Sequence, residues 1–189
     1  MREVTRATLE ALLADLAGRG VRPCNLYLVA GTSQLLEGWC DRVPQVELAA
    51  GPSPDARHLA AAAREAATAA EVELVWESPA DVIPLPDGWE GRNRATDLDW
   101  PAGSGRFTLL HFDPYSVALR LITRGDASDY AVTLRYLEHG WLTLEGLDAV
   151  AAEVLPRFTG AAIGQDPAEF RRKYKGLRQM WRAGAVIGP

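Results

Sequence analysis

Leu9, Leu12, Leu13 and Leu16 fall at i, i+3, i+4 and i+7, the spacing of one apolar helix face. Thr5 stands where an N-cap belongs, and Gly18 and Gly20 stand where that helix stops. From Asn25 to Ala30 the chain is apolar without alternation, the pattern of a strand covered on both faces. Gly31-Thr32-Ser33 then opens a short helix carrying Leu35, Leu36 and Trp39. Val43 to Ala49 alternates as a second strand, bounded by a turn over Gly51 to Pro54. Pro54-Asp55 starts an alanine-rich helix to about Ala70, read as helix because alanine is the best helix former. Val72 to Trp76 and Phe107 to His111 read as further strands. Between them, Ser78 to Arg106 holds Pro79, Pro84, Pro86 and Pro101 among several glycines. So long a connection is expected to cover a site or to be mobile.

Beyond this point the period is helical. Asp113-Pro114 supplies an N-cap and a first-turn proline to a helix faced by Val117, Leu121 and Ile122. Ser128 or Asp126 can cap the next, whose face reads Tyr130, Ala131, Leu134 and Leu137, with Gly140 ending it. Thr143 opens a third, with Leu147, Val150, Ala151 and Val154 inward as far as Pro156. Asp166-Pro167 opens the last, with Phe170, Tyr174, Leu177 and Trp181 on one stripe. The expected fold is α+β: a small mixed sheet flanked by helices over residues 1–112, then a helical region over 113–189 packed on it as one compact unit. No internal repeat is visible.

Composition narrows the function classes. The chain has 189 residues, 48% of them hydrophobic and 24% charged, the balance of an ordinary globular protein. A net charge of −5 argues against nucleic-acid binding by the surface as a whole but leaves room for a local basic patch. Cys24 and Cys40 lack the spacing of a metal knuckle and read as reduced structural thiols. The opening MREVTRATLEALL carries charges throughout, unlike a signal peptide, and no apolar run approaches the ~20 residues of a membrane span. A cytoplasmic protein is expected, with no membrane partner.

Common catalytic signatures are mostly absent. There is no GxxxxGK[ST] loop and no GxGxxG, and Gly31-Thr32-Ser33 lacks the second glycine of a serine-hydrolase elbow. His58, His111 and His139 are scattered without ligand spacing, so they read as structural or solvent-exposed. What remains is the strand, the Gly-Thr-Ser turn, the helix and the second strand. With the later pieces DVIPLPDGWEGR, FDPYSVALRLITRG and SDYAVTLRYLEHGWLTLEGL, it resembles the minimal nucleotidyltransferase-like proteins that include toxins of bacterial toxin–antitoxin systems. The resemblance spans about Leu9 to Phe158.

The resemblance implies metal-assisted phosphoryl chemistry. Two carboxylates at i and i+2 of a strand share a face and hold Mg²⁺ against a nucleoside triphosphate, while the small residues of the turn admit phosphates. Carried over, Gly31, Thr32 and Ser33 face the nucleotide, Gln45 and Glu47 take the metal places, Asp129 joins Glu47 as a catalytic acid, and Arg92 and Arg124 hold phosphate. Each has a plainer reading. Glu47 can be a strand acid and Asp129 a first-turn acid favoured by the helix dipole. Arg92 can be a loop arginine, Arg124 can pair with Asp126 or Asp129, and Thr32-Ser33 can merely cap a helix.

Three departures weaken the enzyme reading. Gln45 carries no charge, Leu121 stands where the family tends to carry a lysine, and Val132 fills the second acidic place after Arg124-Gly125. The chain is therefore expected to be a degenerate nucleotidyltransferase-like protein that binds a nucleotide, a nucleic acid or a protein partner. The alternatives are an active, Mg-dependent, toxin-like nucleotidyltransferase modifying RNA or protein, and a non-enzymatic partner-binding protein. The last helix adds Arg171, Arg172, Lys173, Lys175, Arg178 and Arg182, which read as a solvated face or as a surface for RNA or an acidic protein.

Overall fold

The computed structural model describes residues 2–19, 24–51, 55–98, 107–158 and 165–184. Gly20, the turn at 52–54 and the stretch 99–106 of the long connection lie outside the described residues. The fold is α+β, and the chain divides into two compact units: Met1–Ser78 with Arg94–Phe112, and Pro79–Asn93 with Asp113–Pro189.

The first unit contains β1 (Val4–Thr5), α1 (Arg6–Gly18), β2 (Cys24–Leu28), α2 (Gly31–Leu36), β3 (Arg42–Val43), β4 (Gln45–Ala50), α3 (Ala56–Ala69), β5 (Glu73–Trp76), β6 (Arg94–Ala95) and β7 (Phe107–His111). Five strands form one mixed sheet in the order β5-β4-β2-β7-β6. β2 runs antiparallel to β4 and parallel to β7, with Leu28 opposite both Leu48 and His111. β4 and β5 are parallel and joined through α3, as parallel neighbours require a crossover.

Thr5 caps α1 by accepting from the Thr8 N–H at 3.3 Å, and all four leucines of its predicted face are buried. They pack with Leu26, Leu28, Val46 and Leu48 of the sheet and with the alanine face of α3, Ala62, Ala63, Ala66 and Ala67. Each fully buried leucine contributes about 1.5–3 kcal/mol. Alanines on α3 provide less apolar area but good helix propensity.

The segment expected as one strand, Val43 to Ala49, is two. Pro44 separates β3 from β4, and β3 pairs instead with β1 in a two-stranded sheet, Val4 opposite Val43. Proline has no N–H to continue a ladder, so the pairing partner changes there. Strand β2 also stops short of Ala30, and Trp39 lies beyond α2.

The second unit contains 3-10 turns at Pro79–Asp81 and Trp89–Arg92, then α4 (Pro114–Arg124), α5 (Ala127–Glu138), α6 (Leu144–Val154) with a 3-10 turn at Leu155–Arg157, and α7 (Pro167–Arg182). These turns and β6 show that the described part of the long connection is locally ordered. Each helix opens on a capping residue, Asp113, Asp126, Thr143 or Asp166. Gly125, at φ 75°, ends α4 and returns its N–H to Leu121 O at 2.8 Å. The inward face of α5 differs from the expected one: Asp129, Thr133, Leu134, Tyr136 and Leu137 are buried, whereas Tyr130 and Ala131 are half-buried. No described helix is long and apolar enough to cross a membrane.

Candidate functional site

In the first unit the turn from β2 into α2 passes through Ala30 at φ 49° and ψ −121°. A residue with a Cβ holds that conformation at a cost of about 1–3 kcal/mol, so the surrounding bonds must enforce it. They do so through the two hydroxyls that follow. Ser33 Oγ donates to Leu28 O at 3.1 Å, and Thr32 Oγ1 accepts the Glu47 N–H at 2.6 Å. Both side chains are fully buried. Thr32 thus couples the turn to the next strand, and the two hydroxyls are spent on the fold.

Gln45 and Glu47 share a face of β4, because Val46 and Leu48 between and beyond them enter the hydrophobic core. Glu47 is 8% exposed and Gln45 half-buried. The pair offers a divalent cation one negative charge and one neutral oxygen, which fits Mg²⁺ poorly, since that ion is held by carboxylates and phosphates together. Among the described residues no three His, Cys, Asp or Glu side chains gather into a set that could hold a metal.

At the end of β7, His111 is fully buried with Nε2 2.9 Å from Glu37 Oε1. Burial, with Arg94 adding to it, pushes the imidazole down to about 4. The Glu37 carboxylate pulls the other way but is 26% exposed, so water weakens its hold and burial prevails.

In the second unit Arg124 and Asp129 meet each other. Arg124 donates from Nε to Asp129 Oδ2 at 3.1 Å and from Nη2 to Oδ1 at 2.7 Å, a two-pronged pair. Asp129 Oδ2 also accepts the Asp126 N–H at 3.3 Å, the returning arm of a capping box. Arg92 is engaged in the same manner. Its Nε and Nη2 each donate to Asp113 at 3.0 Å, and Nη1 donates to Asp87 O at 2.9 Å. Hydrogen bonding to Asp113 raises the Arg92 pKa above its usual value. Asp113, fully buried, further accepts from the Tyr115 and Ser116 N–H groups and from Ser116 Oγ at 2.7 Å.

The structure therefore gathers Gly31, Thr32, Ser33, Gln45 and Glu47 in one unit, and joins Arg124 to Asp129 in the other. The fork between Arg92 and Asp113 escaped sequence reading, because 21 residues separate them and no periodicity links them. Fully buried Arg120 on α4 was likewise missed, although its place between apolar Leu119 and Leu121 was a signal. No family model, curated protein or solved structure matches this chain.

Proposed function

We propose that the protein is a catalytically degenerate nucleotidyltransferase-like protein that acts by binding a partner, a nucleotide, an RNA or an acidic protein, and not by transferring nucleotides. The observation that carries this reading is the internal commitment of the charged groups the chemistry would use. Asp129 and Arg124 neutralise each other while Asp129 also serves a cap, and Arg92 forks onto buried Asp113. In the first unit, Gln45 and Glu47 supply a single charge where metal-assisted transfer calls for two carboxylates. The alternating face of β4 and the Thr32 link to the turn support the family likeness in architecture.

The test is incorporation of labelled nucleotide. With each of the four nucleoside triphosphates, millimolar Mg²⁺ and a mixture of RNA and protein acceptors, no label is expected above background. Mg²⁺-dependent labelling that disappears in Glu47→Ala would overturn the reading and restore the enzyme.

A further inference from the structure

Helix α7 sorts its six cations by what they face. Lys173 turns inward: its Nζ donates to Thr123 O at 2.6 Å and Arg124 O at 2.9 Å, capping the last turn of α4. Arg172 lies near Glu169 at 3.7 Å. The other four, Arg171, Lys175, Arg178 and Arg182, follow the i, i+4, i+7, i+11 progression, which confines them to a sector of about 60° and a length of roughly 16 Å. Together with Tyr174 and Gln179 they line a groove of about 340 Å³. Among the described residues Arg171, Lys175 and Arg182 form no ion pair, and all three are exposed. Arg178 is fixed in the row by Asp148 at 2.7 Å, which also accepts from Tyr174 Oη at 2.7 Å.

We propose that this row of four cations on α7 is a docking surface for the phosphate backbone of a single RNA strand. The assignment deepens the reading of the protein as a binding module and rests on it. Charge complementarity supplies the first argument. With six cations and one acid, α7 carries +5 in a chain of −5, so all other residues together carry −10. A polyanion meets attraction here and repulsion elsewhere, which localises it. The shape of the row supplies the second. One line of cations, a helical turn apart, matches one line of phosphates, whereas a protein interface of standard type centres on apolar or aromatic anchors. Tyr174, the aromatic residue of the groove, is 9% exposed, so the contact is with backbone and not by base stacking. Gln179 is the uncharged donor and acceptor on the groove, suited to a ribose 2′-hydroxyl, which distinguishes RNA from DNA.

The experiment is fluorescence anisotropy with a labelled 12-nucleotide oligouridylate, without Mg²⁺ or nucleoside triphosphate, across a salt series. Three unpaired cations predict a slope of log K against log salt of about −2. The triple variant Arg171→Glu, Lys175→Glu, Arg182→Glu should lose at least about tenfold in affinity and flatten that slope. A second triple variant away from the row, Arg57→Glu, Arg64→Glu and Arg172→Glu, makes the same charge change at exposed positions and should stay within about twofold. Both variants alter exposed side chains, and an unchanged melting curve confirms that each is folded. Equal losses in the two variants would sink the row and leave only net charge. Equal binding of the matched deoxyoligonucleotide would overturn the assignment to RNA, and equal competition by a glutamate peptide would assign the surface to acidic protein. Because neither metal nor triphosphate is present, the outcome is independent of whether nucleotide transfer occurs.

Discussion

Arg92 and Asp113 illustrate how a charged residue expected at a ligand site is used instead to hold the fold. Asp113 is fully enclosed, so its charge needs donors, and Arg92 supplies two in a planar fork. Removing the guanidinium in Arg92→Ala leaves the carboxylate the Tyr115 and Ser116 donors, so the loss should be moderate, about 1–3 kcal/mol by urea denaturation. Arg92→Lys restores the charge but not the fork and should recover only part of it. No change in either variant would show that the pair contributes nothing. A similar division governs Arg124 and Asp129, whose spacing along the sequence allowed both a phosphate role and a mutual pair; the structure has the pair.

Among the elements, the approach of α6 to the start of α4 depends on one missing side chain. A Cβ placed on Gly146 would stand 2.7 Å from Tyr115 Cε1 and 2.8 Å from Cζ. The ring has little freedom to retreat, because Tyr115 Oη accepts the Thr143 N–H at 3.4 Å at the mouth of α6. Gly146→Ala should therefore destabilise by about 1–3 kcal/mol through overpacking, despite alanine's better helix propensity. Gly176 on α7 is the counter-case, with nothing within 4 Å of its Cβ position. There the same substitution should stabilise by up to about 1 kcal/mol. Thermal melts of the two variants should shift in opposite directions; shifts of one sign would refute the packing argument. Capping and periodicity made these helices legible beforehand: Thr5, Asp113, Thr143 and Asp166 each open one as expected. The break at Pro44 follows from the proline's missing N–H, whereas the rotated inner face of α5 depended on which partners that helix met.

For the molecule as a whole, His111 makes stability depend on pH. Its folded-state pKa, about 4, lies below the ordinary 6.5, so below pH 6.5 the unfolded chain takes up a proton that the native state refuses. Stability should fall as pH drops from 6.5 towards 4, by a total on the order of 3 kcal/mol from this group. His111→Gln should flatten the difference between pH 6.5 and 5, measured by denaturation of both proteins side by side. Parallel curves would show that His111 does not titrate as described. The sequence by itself determined what depends on near neighbours along the chain: the α1 leucine face, the helix caps, the alternation that puts Gln45 and Glu47 on one side of a strand, and the basic character of α7. It could not determine partners distant in sequence. That Arg92 turns to Asp113, that Thr32 accepts from Glu47, and that of the cations on α7 Lys173 caps α4 while Arg178 pairs with Asp148 were decided only by tertiary packing. The reason is physical: a helical or strand period fixes the direction of a side chain relative to its own backbone, whereas its charge is satisfied by whatever the fold brings within about 3 Å.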